Sequence, residues 1–559
     1  MQYLSNQNPM FRSKFSEDIF QQKYAHEGCE SWIDLTKVLV EDVCRSNLDA
    51  VEKNRLIQYM SELKFIPGGR YLYYAGRKNK FFNNCFLLRS EEDNREDWAE
   101  LSKKVELCLS TGGGIGNDYS IYRPSGSVLH GTGGIASGPL PKMQMVNEQG
   151  RGLMQGGSRR SAIYASLNWK HGDITEFIHM KDWYGMPVGN TGMSIGQIKE
   201  QDFNFPAPMD YTNISVNYDT EWIENYWETG DVGEVFKRNV KQALSTGEPG
   251  FSFNFWDKEK ETLRNACTEV TSEDDSDVCN LGSINIGRID SITEFKDIVE
   301  LGTKFLMCGT LVAKLPYQKV NDVREKNRRL GLGIMGMHEW LIKKGSKYEV
   351  TPELHRWLSV YRSVSDSTSK SYADTLGVSR PAANRAIAPT GSIGILAGTT
   401  TGIEPLFAAA YKRRYLKAGK WKYQYVVDSV AQEMLREYGT DPDSLDTALT
   451  LASDPERRIK FQADVQDYVD MSISSTINLP AWGTDTNNES NIDSFTDTLA
   501  KYSHRLRGFT CYPDGSRGGQ PLVKVEYKDA VDKLGEEFEE HVEAVDICDI
   551  TGKGGSCGV

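Results

Sequence analysis

Asn265, Cys267 and Glu269 stand at positions i, i+2 and i+4 of Asn265-Ala266-Cys267-Thr268-Glu269. In an extended segment alternate side chains point the same way, so all three can face one substrate. An amide orients hydroxyl groups, a carboxylate takes a proton from one of them, and a thiol between the two can act on a sugar. Cys279 follows Cys267 by twelve residues, and Cys85 lies far upstream in Asn83-Asn84-Cys85-Phe86-Leu87. Those two further thiols can supply a pair of electrons. An isolated N-x-C-x-E is short and most often incidental, and a lone Cys85 or Cys279 reads as a buried structural cysteine. The surroundings therefore decide.

Two loops add chemistry. Pro389-Thr390-Gly391-Ser392-Ile393-Gly394 offers small residues, exposed amides and two hydroxyls, a composition suited to a phosphate at a helix start. Gln155-Gly156-Gly157-Ser158-Arg159-Arg160 pairs glycines with arginines, so it can change shape and grip a phosphate or a base edge. No G-x-x-x-x-G-K-[ST] occurs, so P-loop chemistry is not indicated, and no residues are assigned to a metal.

The elements that must position these groups alternate. Trp32, Leu35, Leu39, Val40 and Val43 form a helical stripe behind a Ser31 cap, and residues 1–80 read mainly as helix up to Pro67-Gly68-Gly69. Helix is expected again over 96–110, 293–313 and 351–375. Between them lie short apolar runs, 280–286, 330–335 and 386–390, and glycine-rich loops from 111 to 161. Such alternation implies an α/β fold with much parallel strand. Across 559 residues the 39% hydrophobic and 26% charged content suits a substantial core. The net charge of −13 argues against broad nucleic-acid binding. No apolar run of 18 residues implies a membrane span, the N-terminus has no secretory pattern, and ten cysteines without CxxC spacing read as reduced cytoplasmic thiols.

Across most of the chain from about residue 60, these stretches resemble the catalytic subunit of ribonucleotide reductases. The matching set is Asn84-Cys85-Phe86-Leu87-Leu88, Thr111 to Gly116, Gln155 to Ser161, Asn265 to Glu269, Cys279 to Asn285, Ala388 to Ile393, and Gly402-Ile403-Glu404-Pro405, in the family's order. The resemblance implies a ten-stranded α/β barrel of two five-stranded halves, with Cys267 on a central finger loop and a helical N-terminal region packed outside. The implied layout is residues 1–80 helical, 81–530 barrel with effector loops, and 531–559 a flexible redox tail.

The resemblance also implies roles. Cys267 becomes a thiyl radical and abstracts the 3′ hydrogen of a ribonucleotide, Glu269 takes the 3′-hydroxyl proton, and Asn265 holds Glu269 or the hydroxyls. Cys85 and Cys279 reduce the 2′ position and end as a disulfide. Asn84 with Pro389, Thr390, Gly391, Ser392 and Ile393 binds substrate. Asp93, Arg123, Gln155 and Arg159 serve a nucleotide effector (a dNTP or ATP). Cys548 and Cys557 are the tail pair that passes electrons from a thioredoxin- or glutaredoxin-like reductant, although eight residues separate them where the family has two or four.

Phe509-Thr510-Cys511-Tyr512-Pro513-Asp514-Gly515-Ser516 has one tyrosine and no Tyr-Tyr pair, a form like the adenosylcobalamin-dependent class II enzymes, with Tyr512 at the radical entry. The alternative is a class I-type catalytic subunit served by a separate metal-containing protein. A nucleotide-binding regulator with a dead site is a third reading, opposed by the intact set of five residues. The 84 residues before Cys85 are too few for a helical region and an added ATP cone. The chain is also too short for the large insertion by which monomeric class II enzymes mimic a partner, so the resemblance implies a homodimer with its effector at the interface.

Overall fold

Strands buried on both faces carry the site. The computed structural model describes residues 10–131, 133–153, 161–202, 205–417, 420–516, 522–534 and 537–539. Five parallel strands follow one another in sequence and in space: β1 (Cys85–Arg89), β2 (Gly114–Asp118), β3 (Ile163–Asn168), β4 (Thr212–Tyr218) and β5 (Gly250–Phe253). Their residues are almost all buried, as expected for parallel strands covered on both sides.

A second group starts with β6 (Leu281–Asn285), which pairs in parallel with β7 (Gly331–Met335) and antiparallel with Phe65–Pro67. It ends with β8 (Thr476–Leu479) and β9 (Gly508–Pro513), also parallel to each other. The groups meet where β9 runs antiparallel to β5. Asp277–Val278 caps the far edge antiparallel to β1, giving an eight-stranded sheet. The expected strand at 386–390 is reduced to isolated parallel bridges, Leu332 to Arg385 and Ile387 to Ile473. Just before it the Asp470 carboxylate receives the amides of Asn384 and Arg385, while Ala386 N and Ile387 N donate to Leu332 O and Ser472 O. Among the described residues no continuous ladder closes the sheet on itself.

Helices cover this framework. α1 (Lys14–Lys23), α2 (Trp32–Cys44) and α3 (Ala50–Ser61) form the N-terminal layer. Ser31 caps α2 by accepting from Asp34 N, and the stripe from Trp32 to Val43 is buried. α2 and α3 pack on α4 (Ile292–Val312), which in turn packs on α5 (Pro352–Leu376). The short α6 (Gly391–Ala397) follows the second group's irregular segment and is contacted by α1. No described helix is long and apolar enough to cross a membrane.

Candidate active site

Cys85 and Cys279 are brought together by register. Asp277 pairs with Leu87 and Val278 with Phe86, so the next step places Cys279 opposite Cys85 although 194 residues separate them. Cys279 N donates to Cys85 O at 3.0 Å, and Cys85 N donates to Cys279 Sγ at 2.8 Å. Residues opposed in an antiparallel ladder have Cα atoms about 4.5–5.5 Å apart, within the span of a disulfide. Neither sulfur is in a disulfide, and both are fully buried. Burial, then Cys85, then the Glu269 carboxylate push the Cys279 thiol well above its usual pKa, so it holds its proton.

Cys267 reaches the same place on a hairpin. Leu263–Arg264 pairs antiparallel with Thr271–Ser272, and Asn265 to Val270 form the tip. The tip is closed by Thr268 N donating to Asn265 O at 2.9 Å and Val270 N donating to Asn265 Oδ1 at 3.0 Å. Thr268 has φ +72°, a left-handed conformation that costs a β-branched residue strain. The segment is thus a tight turn and not the extended strand its alternation implied. Asn265 therefore spends its amide oxygen on the turn. Its Nδ2 is buried with no hydrogen-bond partner among the described residues, a donor left for something else. Ser472 N ties the tip from the opposite side by donating to Glu269 O at 2.8 Å.

Behind the tip, Arg264 is a residue the motif gave no reason to choose. Its buried guanidinium donates to Asn254 Oδ1 at 2.6 Å, to Arg507 O at 3.2 Å and to Glu261 O. Burial lowers its pKa to about 9. Its carbonyl lies where a Cβ on Gly116 would stand, so β2 needs glycine for the hairpin base to rest against it. Cys85, Cys267 and Cys279 then share one buried cluster with Leu87, Val270, Ala388 and Met471. Cys267 is the most exposed of the three thiols, at 9% against 0% for the others.

The phosphate-type loop enters beside this cluster. Ala388 belongs to it, and Pro389 and Thr390 lead directly into α6. Thr390 has φ +53°, its carbonyl accepts from Gly394 N at 2.7 Å, and its hydroxyl accepts from Gly402 N at 2.8 Å. Gly391, Ser392 and Ile393 form the first turn, where a helix leaves amides without internal partners. Asn84 is half-buried just before Cys85, with its carbonyl accepting from Gly114 N.

The remaining candidates lie elsewhere. Asp93 and Arg123 pair with each other at 2.5 Å on the surface, outside the cysteine cluster. Tyr512 sits in β9 opposite Asn478. Close to it is Tyr184, which donates to Glu200 at 2.7 Å; burial, Glu200 and Tyr512 together raise the pKa of Tyr184. Gln155, Arg159, Cys548 and Cys557 lie outside the described residues.

A model of the "Ribonucleotide reductase, barrel domain" family matches residues 83–194, 211–357 and 379–512. A vitamin B12-dependent ribonucleoside-diphosphate reductase of Thermoplasma acidophilum is 28% identical over 522 residues; the alignment covers 84% of this chain and 66% of that protein's length. A Mycobacterium tuberculosis protein of the same name is 27% identical, covering 87% of this chain and 75% of its own length. A ribonucleoside-diphosphate reductase subunit alpha of Chlamydia muridarum is 23% identical over 52% of this chain. The class Id ribonucleotide reductase alpha subunit of Actinobacillus ureae has the same fold, with a TM-score of 0.69 and 16% identity over 90% of this chain and 98% of its own.

Proposed function

The chain belongs to the ribonucleotide reductase family, and from that premise we propose that it is an adenosylcobalamin-dependent reductase that converts ribonucleotides to 2′-deoxyribonucleotides. The observation that carries this reading is the single buried cluster of Cys85, Cys267 and Cys279. Relatives named vitamin B12-dependent cover most of the chain, whereas the ribonucleoside-diphosphate reductase subunit alpha of Chlamydia muridarum aligns with about half.

Each group has a defined task. The Cys267 thiyl removes the 3′ hydrogen. Glu269, buried in the same tip, takes the 3′-hydroxyl proton, while Asn265 Nδ2 donates to a sugar hydroxyl. The 2′-hydroxyl departs as water with a proton from the Cys85/Cys279 pair. As one S–S bond forms, two electrons and the pair's second hydrogen pass to C2′; Cys267 returns its hydrogen to C3′ and Glu269 returns the proton to the 3′ oxygen. A raised pKa suits Cys279 as a proton donor before it acts as a reductant. Closure from water protects the radical. The phosphates rest on Thr390, Gly391, Ser392 and Ile393, with Asn84 nearby.

Thr510 to Ser516 fits a cofactor face: Ser516 Oγ is buried without a partner among the described residues, and Tyr512 is half-buried on the same segment. Tyr512 and Ser516 would line the cofactor. Held there, adenosylcobalamin would supply the one-electron oxidation that makes the Cys267 thiyl. Counted with β1 to β9, the bridged segment 385–387 between β7 and β8 is the tenth strand of the barrel. The domain layout is a helical region over 1–80, the barrel over 81–530 and a redox tail over 531–559. Asp93, Arg123, Gln155 and Arg159 read an effector nucleotide. Cys548 and Cys557 carry electrons from a thioredoxin- or glutaredoxin-like donor. Exposed Leu107, Ile121, Val128, Ile135 and Met145 supply apolar area for a second copy in a homodimer. None of the eight described cysteines is in a disulfide, as a reducing compartment such as the cytoplasm would keep them.

The test is direct. Purified chain, adenosylcobalamin, a dithiol and a ribonucleoside di- or triphosphate are expected to yield deoxyribonucleotide. Product that appears only on adding a metal-containing subunit would establish the class I-type alternative.

A further inference from the structure

The far end of α6 is gripped by the N-terminal segment. Arg12 Nη1 donates to Gly398 O at 2.8 Å, and Ser16 Oγ to Ile395 O at 2.7 Å. Arg288 Nη2 donates to Ala397 O at 3.0 Å, and Ser429 Oγ to Gly398 O at 3.2 Å. Ala397 and Gly398 close the helix, Ile395 O accepts from Gly398 N as well, and two of the four donors are cations, the sign a helix C-terminus favours. Arg12 is held in turn by Glu339 at 2.7 Å and Glu433 at 3.0 Å, and Lys343 bridges the same two carboxylates at 2.8 and 3.3 Å. Glu339 is fully buried and also accepts from Thr399 Oγ1. Gly398 has φ +64°, and a Cβ there would press on the Arg12 side chain, so the site is shaped around this arginine.

A seven-residue helix has little stability of its own. What fixes its C-terminal end fixes the angle at which its first turn faces the cluster. We propose that residues 12–16 are a brace for α6, with Arg12 and Ser16 as positioning residues that set the affinity for the substrate's phosphates. The proposal rests on the substrate role assigned to Pro389 to Ile393, and it gives the N-terminal layer a part in binding.

The test compares wild type with Arg12→Ala, Arg12→Lys and Ser16→Ala. It measures KM and kcat for a ribonucleotide, and equilibrium binding of that ribonucleotide and of its unphosphorylated nucleoside. Arg12→Ala is expected to raise KM about tenfold with kcat changed less than about twofold, and Ser16→Ala to raise KM about threefold. Arg12→Lys recovers part of the loss. Nucleoside binding stays at the wild-type value in all three. An unchanged KM in folded Arg12→Ala, or equal weakening of nucleoside and nucleotide, would overturn the brace. Should Arg12→Ala fail to fold, an unchanged KM in Ser16→Ala overturns it instead. A wild type that binds ribonucleotide but makes no deoxyribonucleotide removes the proposed reaction, while the binding comparison still decides the brace.

Discussion

The two places that hold the reactive sulfurs are built by opposite means. Cys85 and Cys279 face each other in a ladder, where pairing fixes both backbones and leaves the thiols no choice of neighbour. Cys267 rides on a six-residue tip closed by its own turn bonds, with a strained Thr268 beside it. A pair that must bond to each other is best set by register. A sulfur that must meet both a radical source and a ribose is better presented on a tip, with the framework behind it holding the position. Stability thus resides in the ladder and in the base of the hairpin, and presentation resides in the tip.

That contrast is open to attack at graded cost. The largest effect is expected from Cys267→Ser. Product formation should fall to background while ribonucleotide binding and melting temperature stay near wild type, because the substitution is small and sits at the tip. Steady-state turnover and calorimetry check this together. Gly116→Ala strikes the base. An added methyl would displace the Arg264 carbonyl, costing ~1–3 kcal/mol of stability. A tip shifted by about 1 Å should lower kcat about a hundredfold. Denaturant unfolding and turnover of one preparation give both numbers, and unchanged values for both would show that the hairpin does not lean on β2.

The ladder pair predicts a pH dependence. The folded-state pKa of Cys279 is raised, so the folded protein holds this proton more tightly than the unfolded chain. The contribution is complete below the unfolded thiol value of about 8.5 and is lost as pH rises through the higher folded value. Wild-type stability should therefore fall with pH above about 8.5, by as much as ~1.4 kcal/mol per unit from this group. Cys279→Ser should flatten that slope relative to wild type in unfolding curves taken from pH 7 to 10. The smallest effect belongs to Thr268→Gly. Relief of the positive φ should offset the entropy of the added glycine and leave a gain of up to ~1 kcal/mol. The looser tip should cost several-fold in kcat, whereas a rise in both stability and kcat would show that the strain has no use.

Much of this was legible beforehand because the chemistry dictates residue types. Asn265, Cys267, Glu269 and the two distant thiols could be picked from one sequence, as could the capped helix behind Ser31 and the alternation of apolar runs with helices. Geometry was less legible. N-x-C-x-E has the period of a strand, yet it is a turn, because Asn265 Oδ1 bonds to the backbone locally and pulls the chain round. The run from Ala386 looked like a regular strand, but its pairing stops at single bridges because Pro389 has no amide to donate and α6 begins at Gly391. Arg264 gave no signal, since a buried arginine is rare and its partners are carbonyls scattered along the chain. The contact of Arg12 with Gly398 spans 386 residues and follows only from the fold.

The most direct measurement is a single turnover without external reductant in a Cys548→Ser/Cys557→Ser chain, whose tail cannot re-reduce the active-site pair, followed by alkylation of free thiols and peptide mapping. One disulfide joining residues 85 and 279 is expected for each deoxyribonucleotide formed, with none in Cys267→Ser. Product formed while both thiols remain free, or a bond that includes Cys267, would contradict the account.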